Sequence, residues 1–345
     1  MLELNRVTEN HMIENITRYY HRSPLQMNKL HESDSEILNI NYKDDEYLVI
    51  TTDSIVEEIE FGIYKDPYLI GWMIVMVNMS DLAAVGATPI GILISEVLSG
   101  NLDESYLTNL HKGINDACEK CNTYVIGGDT NFGKQLILTG TALGKVKNRK
   151  PLTRVGCNPG DLIYSTGKLG IGNAFALSQL VGTNHKTDFM PVAKLKIAKF
   201  ISSIANSCID TSDGVIASLD QLMRLNNVGI HLDPNICTKL DTKSKSIMFE
   251  LNLPKWLLLA GQHGEFELIF TVPPKMVESL NKLASKYLFN VFRIGKVRKQ
   301  KGLFSNFHNR LVEIPTTKIR NLTDSSNFDL NQYLKALLEI DASLK

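Results

Sequence analysis

Five stretches of this chain place aspartate where an apolar run gives way to polar residues. "NSCIDTSDGV" (206–215) carries Asp210, Ser212 and Asp213 ahead of Gly214. "VITTDS" ends on Thr52 and Asp53, "VNMSDLAAVGA" holds Asp81, "VIGGDTNFG" holds Asp129, and "HESDSEIL" holds Asp34. Each has an ordinary structural reading. Asp34 suits a helix cap, Asp53 a turn, and Asp129 an Asx-turn beside glycines. In the first stretch, capping and an easy turn at Gly214 account for one acidic residue but not two.

Asp81 resists such a reading. It lies between Met79 and Leu82 in an apolar helical pattern, where an unpaired charge is costly to bury. A carboxylate there calls for a cation. Carboxylates converging from strand ends form a hard, oxygen-rich site of the kind that takes Mg²⁺, the usual partner of a nucleoside triphosphate. The chain has neither a Walker A sequence nor a kinase glycine loop. An ATP site here must therefore rest on metal bridging and on backbone amides near Gly127 and Gly128.

The elements that position these residues read as α+β. At 345 residues and 43% hydrophobic content, the chain is long enough for two domains with cores of their own. Its 37 basic residues balance 37 acidic ones, which disfavours nucleic acid as a partner. The run "LIGWMIVMV" (69–77) stops at Asn78, Ser80 and Asp81, short of the roughly 20 apolar residues a bilayer requires. It reads as a buried core helix, with no membrane partner. Glu3, Arg6 and Glu9 interrupt any secretory signal, so the cytoplasm is the expected compartment. The five cysteines do not suggest a disulfide framework, and Cys118 and Cys121 form a lone C-x-x-C within a helical pattern.

Helices are expected over 8–21 (capped by Thr8 or Asn10), 67–85, 103–120, 171–181, 191–205 and 215–225, with an amphipathic helix closing the tail. Strands are expected over 35–40, 47–52, 90–98, 135–146, 162–166, 229–233, 266–272 and 290–297. A short strand at 123–133 should end in a glycine-bearing loop. The lysine-rich 238–246 reads as a solvated face or loop. The Pro- and Gly-bearing segment 147–161 marks a boundary. The division is an N-terminal helical extension (1–27), an N-terminal domain (28–148), a C-terminal domain (149–313) and a tail (314–345).

"TTDSIVEEIEF", "VNMSDLAAVGATPIG", "VIGGDTNFG", "LTRVGCNPGDLIYSTGKLG", "IDTSDGVIASLDQL" and "FELIFTVPP" occur in the order and spacing of thiamine-monophosphate kinases, within the aminoimidazole ribonucleotide synthetase-like superfamily. The resemblance covers about residues 28 to 300. It implies a two-domain fold, with N-terminal sheets pairing into a dimeric barrel and a C-terminal α/β sandwich. It also implies transfer of the γ-phosphoryl group of ATP to the phosphate of thiamine monophosphate, by a homodimer. Carried over by position, Asp34, Thr52, Asp53, Asp81, Asp129, Asp210 and Asp213 resemble the family's Mg²⁺ ligands. Gly128, Arg154 and Ser212 resemble its ATP contacts, and Arg154 and Asp213 are the candidate catalytic pair. The acceptor is already an anionic phosphate oxygen, so the chemistry requires positioning and charge neutralisation rather than a general base.

The departures cluster on the acceptor side. The family's G-D-D reads "ESD", with Ser33 replacing one aspartate. Its substrate-side His becomes Glu60, and its G-G-E-D-Y-E-L reads "GQHGEFEL", leaving Glu265 as a shifted counterpart of the substrate-contacting Glu. Phe328 matches its terminal aromatic, and Phe132 stands where T-T-R-G has Arg. The resemblance thus implies an acceptor site of Glu60, Glu265 and Phe328. Another phosphorylated acceptor, or nucleotide binding without turnover, stands as the alternative.

Overall fold

The computed structural model describes residues 3–41, 46–185, 187–307, 310–326 and 329–345. Two sheets lie on either side of 148–161. The first has five strands, β1 (Glu36–Asn41), β2 (Glu46–Ser54), β3 (Thr88–Ser99), β4 (Val125–Gly133) and β5 (Ile137–Lys147), in the order β1-β2-β5-β3-β4. Only β3 and β4 run parallel. The second has seven, β6 (Leu162–Ser165), β7 (Ser207–Asp210), β8 (Gly229–Leu232), β9 (Leu268–Val272), β10 (Phe292–Arg298), β11 (Gly302–Phe307) and β12 (Arg310–Ile314), in the order β12-β11-β8-β10-β6-β9-β7.

The helices are α1 (Thr8–Thr17), α2 (Glu57–Glu60), α3 (Pro67–Val85), α4 (Glu104–Cys121), α5 (Ile171–Leu177), α6 (Leu195–Ile201) and α7 (Val215–Asn226). After them come α8 (Thr242–Glu250), α9 (Val277–Tyr287), α10 (Thr316–Arg320), α11 (Leu322–Ser325) and α12 (Leu330–Ser343). The central one is α3. It is apolar on every side because it is enclosed by β2, β3 and β5, by α4 and α6, and by β7 of the second sheet. Pro67 opens it, Asp66 caps it through the Tyr68 amide at 3.1 Å, and Gly86 ends it at φ 77°. Among the described residues it is the one helix long and apolar enough to span a membrane, and it is the shared core of the two halves.

Several expectations are corrected. The short strand at 123–133 does not end in a glycine loop: β4 continues to Gly133, because Gly128 lets its backbone close on β3, where a Cβ would come within 1.9 Å of the Ile94 carbonyl. Neither Thr8 nor Asn10 caps α1. Val7 holds that position without a side-chain bond, and the helix ends at Thr17. The 171–181 helix breaks into α5 and a π turn at Ser178–Gly182, and only Leu195–Ile201 of 191–205 is helical. The lysine-rich stretch enters α8, capped by Asp241 through the Ser244 amide. The β11–β12 pair at the sheet edge was not anticipated. Cys118 and Cys121 are buried in the core, their thiols pushed up by burial to about 11 and about 12, and are inert.

The segment 261–267 fastens the loops around the first stretch of interest. Gly264 N–H donates to the Ser212 carbonyl at 2.8 Å, and Glu267 N–H to Thr211 Oγ1 at 3.0 Å. Glu265, 3% exposed, accepts from Gly170 N–H at 2.8 Å and so ties this segment to the turn before α5. Burial pushes its carboxyl up to about 8 against the pull of that amide.

Two outcomes are expected. A Cβ on Gly71 would sit 1.9 Å from the Leu110 carbonyl, so Gly71→Ala should separate α3 from α4 and lose roughly 2–3 kcal/mol in chemical denaturation. Glu265 ionises near 4.5 when unfolded but keeps its proton to about 8 when folded. Its contribution to stability therefore declines as pH rises through that window. Glu265→Gln should remove the decline, gaining roughly 3–5 kcal/mol relative to the unaltered chain between pH 5 and 8. Unfolding curves at the two pH values measure it.

Candidate functional site

Three of the candidate aspartates meet from three separate parts of the fold. Asp34 comes from the loop before β1, Asp81 from the last turns of α3, and Asp210 from the end of β7; one carboxylate oxygen of each lies within 4.8 Å of the others. Each is held by a donor. Arg154 Nη2 donates to Asp34 Oδ1 at 2.9 Å, and Thr51 Oγ1 to Asp81 Oδ2 at 2.5 Å. Ser80 Oγ and Ser212 Oγ donate to the two oxygens of Asp210 at 2.6 and 2.8 Å. Asp53 lies near enough to the three for its charge to help raise the Asp81 carboxyl, and its amide donates to Asn78 Oδ1 at 3.2 Å.

The electrostatics follow from this crowding. Burial, then the Asp34 charge, pushes the Asp210 carboxyl up to about 7. Asp81 is raised well above the carboxylate range by burial and by Asp53, Asp210 and Asp34, and Asp53 is raised chiefly by burial. Burial opposes the charge on Arg154, but Asp34, Asp210 and Asp81 outweigh it and raise its pKa. One guanidinium thus touches a group of four carboxylates. Asp34 Oδ2 is buried without a hydrogen-bond partner, an orphan acceptor that a hard divalent cation would satisfy. The all-oxygen donor set fits Mg²⁺.

Beside the cluster lies a polar cavity of about 180 Å³, lined by Arg154, Asp210, Ser212 and Asp213, with Glu9, His31 and Arg320 closing it. The first stretch now has an explanation. Gly214 at φ 86° is itself the N-cap residue of α7 and no side chain caps that helix, so Asp210, Ser212 and Asp213 are all left for the cavity.

Other expected residues lie elsewhere. Thr52 is exposed on the opposite side of β2 from Thr51 and bonds the Gly140 carbonyl at 2.9 Å; strand alternation brings Thr51 to the cluster instead. Asp129 is exposed on β4, accepting from Asn131 Nδ2 at 2.6 Å, and Gly127 and Gly128 share that strand. A larger, mostly apolar cavity of about 420 Å³ lies among α2, α5 and α12. Glu57, Glu58 and Phe61 line it, whereas Glu60 does not; Gln262 and His263 line it, whereas Glu265 faces the turn before α5. Phe328 lies outside the described residues. Thr51, Ser80, Glu9, His31 and Arg320 escaped sequence reading. Only the hydroxyls adjoining Thr52 and Asp81 carried a local signal.

With this geometry in view, known proteins give a consistent placement. The family model described as AIR synthase related protein, N-terminal domain, matches residues 32–146. A thiamine-monophosphate kinase of Pyrococcus horikoshii is 30% identical over 276 residues, covering 79% of this chain and 85% of that protein. One from Buchnera aphidicola is 30% identical over 310 residues, covering 86% and 94%. The solved structure of AaThiL complexed with AMPPCP and TMP has a TM-score of 0.72 at 24% identity, covering 88% of this chain and 94% of that one. The two-sheet α+β architecture is that of AIR synthase-like proteins. Identity of this extent, sustained across both sheets, makes the chain a member of the thiamine-monophosphate kinase family.

Proposed function

We propose that this chain transfers the γ-phosphoryl group of ATP to the phosphate of thiamine monophosphate, giving thiamine diphosphate, with Mg²⁺ as the metal. The observation that carries the reading is the convergence of Asp34, Asp81 and Asp210, with Asp53, beside a cavity bearing Arg154 and Ser212. Mg²⁺ would be held by these four carboxylates, and when bound it supplies charge neutralisation on the polyphosphate oxygens. Arg154, fixed by Asp34, balances negative charge on the group in transfer. Ser212 gives its one O–H to Asp210 and so holds that carboxylate in place at the wall of the cavity. The acceptor phosphate is its own nucleophile, so no residue here removes a proton.

The larger cavity suits the thiamine portion. Its walls are apolar enough for two flat rings, and the carboxylates of Glu57 and Glu58 stand where a cationic thiazolium is favoured. This gives the acidic α2 a use in the acceptor site through Glu57 and Glu58 rather than Glu60.

The metal set also points to a dimer. Asp53 on β2 and Asp129 on β4 are three strand steps apart, roughly 14 Å, too far to share an ion within one chain. All nine residues of β4 are exposed, Phe132 at 82%, leaving an unprotected strand edge. We infer that a second copy covers β4 and that each site takes Asp129 from its partner. Cytoplasmic residence accompanies this reading.

Asp210→Asn should lower ATP- and thiamine-monophosphate-dependent turnover at least about a hundredfold with unfolding unchanged, and EDTA should abolish turnover reversibly; near-normal activity in that variant would refute the metal assignment. Asp53→Asn and Asp129→Asn should each be inactive alone. Mixed and refolded together, they should recover about a quarter of normal activity, since half the dimers then hold one intact site. No recovery places both residues in one chain's site.

A further inference from the structure

The carboxyl-terminal tail puts a second arginine on the polar cavity. Arg320, at the end of α10, has a side chain 6% exposed, and its Nη1 donates to Gln221 Oε1 at 2.7 Å. Asp220 lies 3.8 Å away but is not free to neutralise it: Arg224 Nε and Nη2 hold its two oxygens at 2.6 and 3.0 Å. The charge of Arg320 is instead met by Glu9 of α1, through Nη2 to Oε2 at 3.0 Å.

Glu9 is poorly suited to be a permanent partner. Its side chain is 57% exposed, and the nearby Asp213 carboxylate raises its carboxyl while Arg320 pulls the other way. The helix that carries it is lightly held. Met12 and Ile16 point outward at 57% and 46% exposure, Asn10 is its buried residue, and Ile13 alone of its apolar side chains reaches the cavity. Its attachments are polar: Asn10 Nδ2 to Gln221 Oε1 at 3.1 Å, Thr8 N–H to Asn321 Oδ1 at 3.0 Å, and Asn321 Nδ2 to the Arg6 carbonyl at 3.0 Å. Val7 at the N-cap is buried at 1% exposure and anchors the start of the helix, whereas residues 8–17 bury no apolar side chain fully and open at low free-energy cost. The cavity also holds an unused polar atom. His31 Nε2 is buried without a hydrogen-bond partner, and burial with Arg154 and Arg320 keeps the ring neutral, its pKa lowered to about 4. A phosphate would satisfy the guanidinium in forked geometry and bring more charge than one carboxylate.

We propose that Arg320 is a second phosphate-binding cation of the nucleotide cleft, and that Glu9 occupies its guanidinium until a nucleotide phosphate displaces Glu9 together with α1. This rests on the nucleotide reading of the polar cavity. Calorimetric titration of the full chain with Mg²⁺ and a non-hydrolysable ATP analogue tests it. Glu9→Gln, on an exposed position, should tighten binding about three- to fivefold, the worth of one exposed ion pair. Arg320→Lys, which keeps the charge and loses the fork, should weaken binding by a similar factor while the thermal midpoint without nucleotide stays within about 3 °C. Amide exchange over 8–17 should speed up when the analogue binds. Unchanged or weaker binding by Glu9→Gln, slower exchange, or an affinity loss in Arg320→Lys matched by lost stability each overturns the inference. If the unaltered chain binds no analogue, the nucleotide reading itself fails first.

Discussion

Four carboxylates brought together below the surface repel one another and resist leaving water, and the structure around them is arranged to hold them against both tendencies. One carboxylate oxygen each of Asp34, Asp81 and Asp210 lies within 4.8 Å of the others, and the nearby charge of Asp53 adds to the crowding on Asp81. Neutral donors (Thr51, Ser80 and Ser212) answer part of the desolvation without cancelling the charge. Arg154 cancels one unit of it. The remaining deficit raises Asp53, Asp81 and Asp210 together. Protons can fill it, and so can a divalent ion, which supplies two charges and six or more ligand positions at once. That preference for a hard cation is a property of the arrangement rather than of any single aspartate.

Such an arrangement demands a rigid frame, because like charges separate if given room. The frame is the seam between the sheets. Helix α3 packs on β2 and β5 on one side and on β7 on the other, so Ser80 can reach Asp210 while Asp81, the next residue, faces Thr51. Arg154 comes from the segment between the sheets, its amide bonded to the Glu32 carbonyl and its guanidinium to Asp34. Segment 261–267 then fixes the 210–214 loop from behind: a Cβ on Gly264 would fall 1.4 Å from the Thr211 carbonyl. Glycine there is a requirement of contact, which explains why "GQHGEFEL" keeps a glycine although it departs from the family pattern.

Much of this was legible because it is local. Asp81 in an apolar helix and the surplus aspartate in "IDTSDGV" pointed to carboxylates that converge, as Asp81 and Asp210 do, and richness in β-forming residues marked β1 and β2. What was hidden depended on distant segments. Thr51 and Thr52 are both plausible ligands in one dimension; only the face of β2 that turns toward α3 chooses Thr51. Glu60 stands nearest the position of the missing His, but the short α2 presents Glu57, Glu58 and Phe61 to the cavity. The end of β4 read as a loop because its glycines look like turn residues, when Gly128 serves close approach to β3. Glu9 and Arg320 meet across a separation of 311 residues, and nothing local in either neighbourhood announces the other.

The two cavities differ in kind, and the difference orders the chemistry. The smaller is polar and charged, and it adjoins the carboxylate cluster; the larger is apolar, with carboxylates along α2. A substrate with a cationic ring and an anionic phosphate satisfies both only in one orientation, rings toward α2 and phosphate toward Arg154. Reversed, the phosphate would face Glu57 and Glu58 and the cation would face two guanidinium groups. On the function proposed above, charge would enforce this orientation before any shape-specific contact forms. On that reading the divergence of the acceptor-side residues would be tolerable for the same reason, since the polarity of each end, rather than one particular side chain, would direct the phosphate toward Arg154 and the carboxylate cluster.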